Sequence, residues 1–169
     1  MNFSSSAGDV LASLGDVAGA YAETENPVIR VCAALEVFAA PTLRHVLCTV
    51  NRFDASSMEV VRLYSSNPVA YPPGGRKAKR GTPWGQQVLL DKRIYVGEGA
   101  DAIRADFDDH DVIIRLGLQS VINVPVVFRG ECLGTINLLM TEPTVPAEKI
   151  AFAGLLGLLV MPLLQARER

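Results

Sequence analysis

The chain has 169 residues, of which 49% are hydrophobic and 20% charged, with a formal net charge of −2. Those values fit one globular domain with a substantial core and exclude wholesale disorder. They also exclude the global basic field that drives nonspecific binding to nucleic acid.

The N-terminal stretch lacks the positive start and compact apolar block of a signal peptide, since Asp9 and Asp16 interrupt it. Residues 1–25 read as a flexible or helical extension, with a weak helix over Asp9–Ala22. The first strong helical pattern is Pro27–Ala40, where Val28, Val31, Leu35 and Phe38 make one apolar stripe. Pro41 is expected to close it, because proline disfavours helical geometry in the residue before it. Two strands follow, Val46–Phe53 and Met58–Ser65, joined by the turn-forming Asp54-Ala55-Ser56-Ser57 as an antiparallel hairpin. Asn67–Gly81 then reads as a long irregular loop rich in proline and glycine.

Thr82-Pro83 has the form of an N-cap followed by proline in the first turn and opens a helix to about Asp91. A short strand at Arg93–Val96 and two short helices, Asp101–Phe107 and Asp109–Leu116, come next. The clearest local signal is the last hairpin, Ser120–Phe128 and Glu131–Met140, joined at Arg129-Gly130. With Phe128 opposite Glu131, an unbroken register sets Ile122 opposite Asn137. That register puts Ser120, Thr135 and Asn137 on one face and Asn123 on the other. The final helix, within 146–169, starts near Pro146 and runs to about Met161, where Pro162 kinks or ends it. Its apolar run Ile150–Leu164 has 15 residues, shorter than the roughly 17–25 of a membrane-spanning helix. It reads as a buried or dimer-facing helix.

Consecutive hairpins demand an antiparallel sheet, so the fold class is α+β. The terminal helices cover one face, and the middle helices and long loop roof the other and enclose a pocket. Cys32, Cys48 and Cys132 are odd in number and far apart. They imply neither a disulfide framework nor a zinc site, and point to the reducing cytoplasm.

The segment V-P-V-V-F-R-G-E-C-L-G-T-I-N-L-L, Val124–Leu139, resembles the closing hairpin of a GAF domain, as does the lead-in L-G-L-Q-S-V-I-N-V-P. The stretch Y-P-P-G-G-R-K-A-K-R-G-T-P-W-G is similar to that of bacterial proteins made of one GAF domain. The resemblance implies a central antiparallel sheet, a small-molecule pocket and dimerisation through terminal helices. Members of the family bind cyclic nucleotides, bilins, haem or other small molecules. Asn51-Arg52-Phe53-Asp54 imitates the cyclic-nucleotide signature, but on the wrong element. No cysteine stands where bilin attachment is expected. The free methionine sulfoxide reductases of this fold carry cysteines in the roof, and Asn67–Gln119 contains none. Where those enzymes have two late acidic residues, this chain has Asn137 and Leu139. No cofactor is assigned.

Arg76, Lys77, Lys79 and Arg80 place four positive charges within five residues, either as an anion-gripping lid or as a solvated loop. Asp106, Asp108, Asp109 and Asp111 around His110 lack the glycine of a calcium loop and fit helix capping better than a metal site. His110 lies in the roof and is a candidate to line the pocket, but no nucleophile motif accompanies it. Trp84 either stacks on a ligand or seals the core, and Tyr71 and Tyr95 pose the same question. Ser120 and Asn137 are candidates to orient a ligand on the sheet. The resulting expectation is a non-enzymatic sensory domain binding a small polar or anionic metabolite through Arg76, Lys77, Trp84, Tyr95, His110, Ser120 and Asn137. It is expected to form a homodimer and, with no length left for an output domain, to signal to a separate protein, without binding nucleic acid or membrane. The alternative is a docking module whose pocket is filled by its own side chains.

Overall fold

The computed structural model describes residues 6–166; the outermost parts of the expected N-terminal extension and of the C-terminal segment, 1–5 and 167–169, lie outside them. Helix α1, Ala7–Ala22, starts two residues earlier than periodicity predicts. Ser6 explains the difference: its Oγ accepts from the Asp9 N–H at 3.2 Å, and Asp9 accepts from the Ser6 N–H at 3.0 Å. This reciprocal capping box satisfies donors that a helix start otherwise leaves free. Helix α2, Pro27–Leu43, carries Pro41 inside its last turn instead of stopping before it. The helix ends at Arg44, which takes the left-handed conformation (φ 53°) while its N–H donates to the Ala40 carbonyl.

Six strands form one antiparallel sheet in the order β3-β2-β1-β6-β5-β4. They are β1 (Leu47–Asp54), β2 (Glu59–Ser65), β3 (Arg76–Ala78), β4 (Tyr95–Glu98), β5 (Ser120–Phe128) and β6 (Glu131–Met140). The α+β class and both hairpins agree with the sequence reading. Strand β3 corrects the expectation of a wholly irregular 67–81 loop, because Lys77 pairs with Val60 and Arg76 with Val61 on the sheet edge. The expected 82–91 helix is an α turn at 83–84 followed by a π-helix, Gly85–Leu90. Its wide turn closes with the Asp91 N–H on the Gln86 carbonyl. Thr82 caps the start, its Oγ1 accepting from the Gly85 N–H at 3.0 Å. Helices α3 (Gly99–Asp106) and α4 (His110–Arg115) complete this side.

Two apolar layers sandwich the sheet. On one side α1, α2 and the C-terminal helix α5, Ala147–Gln165, pack Val17, Val31, Leu35, Leu156 and Val160 against Ile122, Ile136 and Leu138. On the other, Trp84, Val88, Leu89, Ile103 and Ile113 pack against Leu47, Val60, Val121 and Leu139. Helix α5 runs through Pro162, so at 19 residues it is long and apolar enough, by length and composition, to cross a membrane. Its residues Ala153, Leu156, Gly157, Val160, Leu163 and Leu164 are nevertheless buried in the domain.

Two bulges set which side chains face the roof. In β6 the register with β5 slips between Val126 and Val127, leaving Leu133 as the extra residue. Phe128 still faces Glu131, but Ile122 pairs with Leu138 and Asn123 with Asn137. In β2 the register with β1 slips between Val50 and Asn51, leaving Leu63 as the extra residue. Strand alternation turns over there, so Arg62 faces the roof while Tyr64 faces the helices and donates to Glu36 at 2.8 Å.

Candidate functional site

The pocket lies between the sheet and its roof, as a cavity of about 80 Å³. On this scale each water needs roughly 10–15 Å³, so the space suits several waters or one compact ligand. Leu47, Val60, Val121 and Leu139 from the sheet, with Phe107 and Ile113 from the roof, give it apolar walls.

A directional chain of hydrogen bonds crosses the floor. Trp84 Nε1–H donates to Asn123 Oδ1 at 2.9 Å, Asn123 Nδ2–H to Asn137 Oδ1 at 2.8 Å, and Asn137 Nδ2–H to Thr49 Oγ1 at 3.0 Å. The β6 bulge makes this possible, because it brings Asn123 directly opposite Asn137. Buried amides cost free energy without partners. Here each serves the next, and the indole is fixed to the sheet. Asn51 Nδ2–H donates to Thr135 Oγ1 at 3.3 Å beside this chain.

The other end is cationic. Lys77 faces the pocket because its cross-strand partner Val60 does, and its Nζ meets Asp109 Oδ1 at 2.7 Å. Lys79 lies with its Nζ 4.8 Å from the centre of the Trp84 ring, and burial lowers its pKa, with Lys77 adding to the effect. Arg62 stacks its guanidinium 5.0 Å over the Tyr71 ring and donates an Nη1–H to the Pro72 carbonyl at 3.1 Å. Gly75 leaves the guanidinium its place, since a Cβ there would lie 2.9 Å from Arg62 Nη1 and push it aside. Asn67, whose Oδ1 accepts from the Ala70 N–H three residues on, holds the turn that leads into Tyr71. Arg62 Nε is buried and has no hydrogen-bond partner among the described residues, while the Tyr71 hydroxyl is buried against the Asp109 carboxylate. Burial, then the nearby Asp109 charge, raises the Tyr71 pKa, and burial lowers that of Arg62.

The structure thus brings Lys77, Trp84 and Asn137 to one pocket and leaves four expected residues out of its lining. Arg76 alternates outward on β3 and pairs with Glu59 at 3.4 Å. Tyr95 is buried beside the pocket, where its hydroxyl donates to Asp106 and its ring meets Phe107 edge-on at 5.8 Å. His110 sits 2.9 Å by Nδ1 from the Phe107 carbonyl. Ser120 shares its parity with Ile122 on the helix-packed face, because the bulge shifted the register by one residue; its Oγ is buried there.

Sequence reasoning missed Arg62, whose signal was a charge inside an otherwise apolar strand. It placed Asn123 on the wrong face and read Asp109 as a helix cap. Asp109 does occupy the N-cap position of α4, yet its side chain makes no capping bond and turns into the pocket. Burial alone would raise its pKa, but the Lys77 ammonium and the Tyr71 hydroxyl outweigh that and hold it below the usual carboxylate range. No group of three or more potential metal ligands stands together among the described residues.

No family model matches the sequence, and no curated protein matches it. Solved structures do. The GAF domain of an Acinetobacter phosphoenolpyruvate-protein phosphotransferase is similar at a TM-score of 0.70 and 12% identity, over 95% of this chain and 94% of that one. The nlh2 GAF domain of A. aeolicus, in an inactive state, is similar at 0.67 and 14%, over 94% and 97%. The chromophore-binding domain of Stigmatella aurantiaca phytochrome P1 is similar at 0.62 and 14%, over 98% of this chain and 63% of that one. At the first two of these similarities, over nearly the whole of both chains, the chain has the fold of a GAF domain.

Proposed function

We propose that the chain is a sensory domain that binds a compact anion under its roof, without turnover, and passes the signal to a separate protein. The observation that carries this is the charge of the pocket: Arg62, Lys77 and Lys79 line it against one carboxylate, Asp109. All three are half-buried, where a cation without full compensation is still partly desolvated at a cost. An incoming anion would offset that cost and supply an acceptor for Arg62 Nε. The similar domains of a phosphotransferase and a phytochrome fit a regulatory role.

Helices α2 and α5 supply the dimerisation surface in this reading. Ile29, Val37, Leu155 and Leu158 are 59%, 66%, 55% and 61% exposed, and no charged residue falls between Lys149 and Gln165. The primary test is native mass spectrometry of the purified protein, with identification of any small molecule released on denaturation. A stoichiometric anion, lost in Arg62→Met, is the expected result. A protein that binds no compact anion, as purified or when titrated, refutes the reading and leaves the docking module. Light scattering of Leu158→Glu tests the dimer: a wild-type dimer that this variant dissociates is expected, and a monomeric wild type refutes it.

A further inference from the structure

The anion-binding reading can be taken further, because the cationic end of the pocket already holds a carboxylate. Asp109 is the only acidic side chain among the described residues that line the cavity. At an N-cap position an aspartate ordinarily accepts from the first free N–H groups of its helix. This one makes no such bond, and reaches Lys77 at 2.7 Å. The groups around it come from elsewhere in the chain. Arg62, Tyr71, Lys77 and Lys79 belong to β2, β3 and the segments around β3 at one edge of the sheet, whereas Asp109 follows β4 at the opposite edge. The Lys77–Asp109 pair therefore ties the α3–α4 part of the roof across to the far edge. It also leaves the cup under-used, since the buried Arg62 Nε remains without an acceptor among the described residues.

We propose that Asp109 is a tethered stand-in for the ligand's own acid group, and that the ligand is a compact monocarboxylate with an apolar body. Its carboxylate takes over Lys77, Arg62 and Tyr71, and its body rests against Val60, Phe107 and Ile113. Asp109, displaced, turns to solvent, and the tie across the roof is released. Binding thereby favours a different roof arrangement, which is the differential a sensor needs. A tethered competitor acts at an effective concentration of roughly millimolar, so it lowers the apparent affinity for the external acid.

The test is titration of the wild type, Asp109→Asn, Asp109→Ser and Asp108→Asn with benzoate, butyrate and inorganic phosphate, read by the fluorescence of the single tryptophan, Trp84. Both Asp109 variants should bind benzoate or butyrate about tenfold more tightly than the wild type, or more; Asp109→Ser keeps a capping residue and guards against a folding defect. Asp108→Asn removes the same charge one residue away and should change affinity little. In the wild type, saturating benzoate should speed hydrogen exchange in α4. Unchanged or weaker carboxylate binding by the Asp109 variants, an equal gain in Asp108→Asn, or tighter binding of phosphate than of either carboxylate overturns the proposal while anion binding stands. Failure of every probe on every variant overturns the anion-binding reading as well.

Discussion

Asn137→Ala should destabilise the domain through its partners more than through itself. Asn137 accepts from Asn123 Nδ2–H at 2.8 Å and donates to Thr49 Oγ1 at 3.0 Å, so truncation removes two buried hydrogen bonds at once. The Thr49 hydroxyl oxygen loses a donor and can rotate to find another, whereas the Asn123 Nδ2–H group loses its acceptor. A buried group left unpaired costs about 1–3 kcal/mol, and water entering from the cavity offsets part of the second loss. The expected destabilisation is about 2–3 kcal/mol, equivalent to a fall in Tm of roughly 5–10 °C for a domain of this size. Denaturant unfolding followed by Trp84 fluorescence and by circular dichroism measures it, with the slope unchanged if only stability has moved. A double-mutant cycle with Asn123→Ala should give a coupling of about 0.5–3 kcal/mol. A loss below about 0.5 kcal/mol, within the ordinary range for a surface substitution, would refute the claim that these buried hydrogen bonds hold the floor together.

Gly134→Ala should be severe, because a Cβ there would lie 2.0 Å from the Asn51 carbonyl oxygen and 3.0 Å from Leu164 Cδ1. Relief requires β1 and β6 to separate, so a loss of about 3 kcal/mol or more is expected in thermal unfolding; wild-type stability would rule out the close packing of these strands. All four tyrosines, Tyr21, Tyr64, Tyr71 and Tyr95, have raised pKa values, with burial the largest cause in each. Because the folded state holds these protons more tightly, stability is fully present below pH 10 and declines as pH rises beyond it. Absorbance at 295 nm should therefore show no phenolate step near pH 10 and one cooperative rise on alkaline unfolding; four independent steps near pH 10 would contradict the burial. Burial also pushes the Cys32 thiol up to about 12 and that of Cys48 well above its ordinary value. A thiol reagent at neutral pH should therefore label half-buried Cys132 first, and Cys32 and Cys48 only after unfolding.

The α+β class and the order of elements were legible in the sequence, because each rests on neighbours a few residues apart. The 3- and 4-residue spacing of Val31 and Leu35 marks α2, Thr82 announces a helix start, and Arg129-Gly130 between two apolar runs marks the last hairpin. The side chains of the pocket depended on longer-range facts. One extra residue at Leu133 moved Asn123 beneath the roof and turned Ser120 away, and another at Leu63 placed Arg62 inside. A bulge is a property of two strands together, since the unpaired residue looks like any other in its own strand. Strand β3 likewise exists only by pairing with β2, and that pairing decides that Lys77 points in and Arg76 out. Local preference made Asp109 a helix cap; a lysine brought from the opposite edge of the sheet offered its carboxylate a charged partner in a half-buried site, and there the charge pairing won.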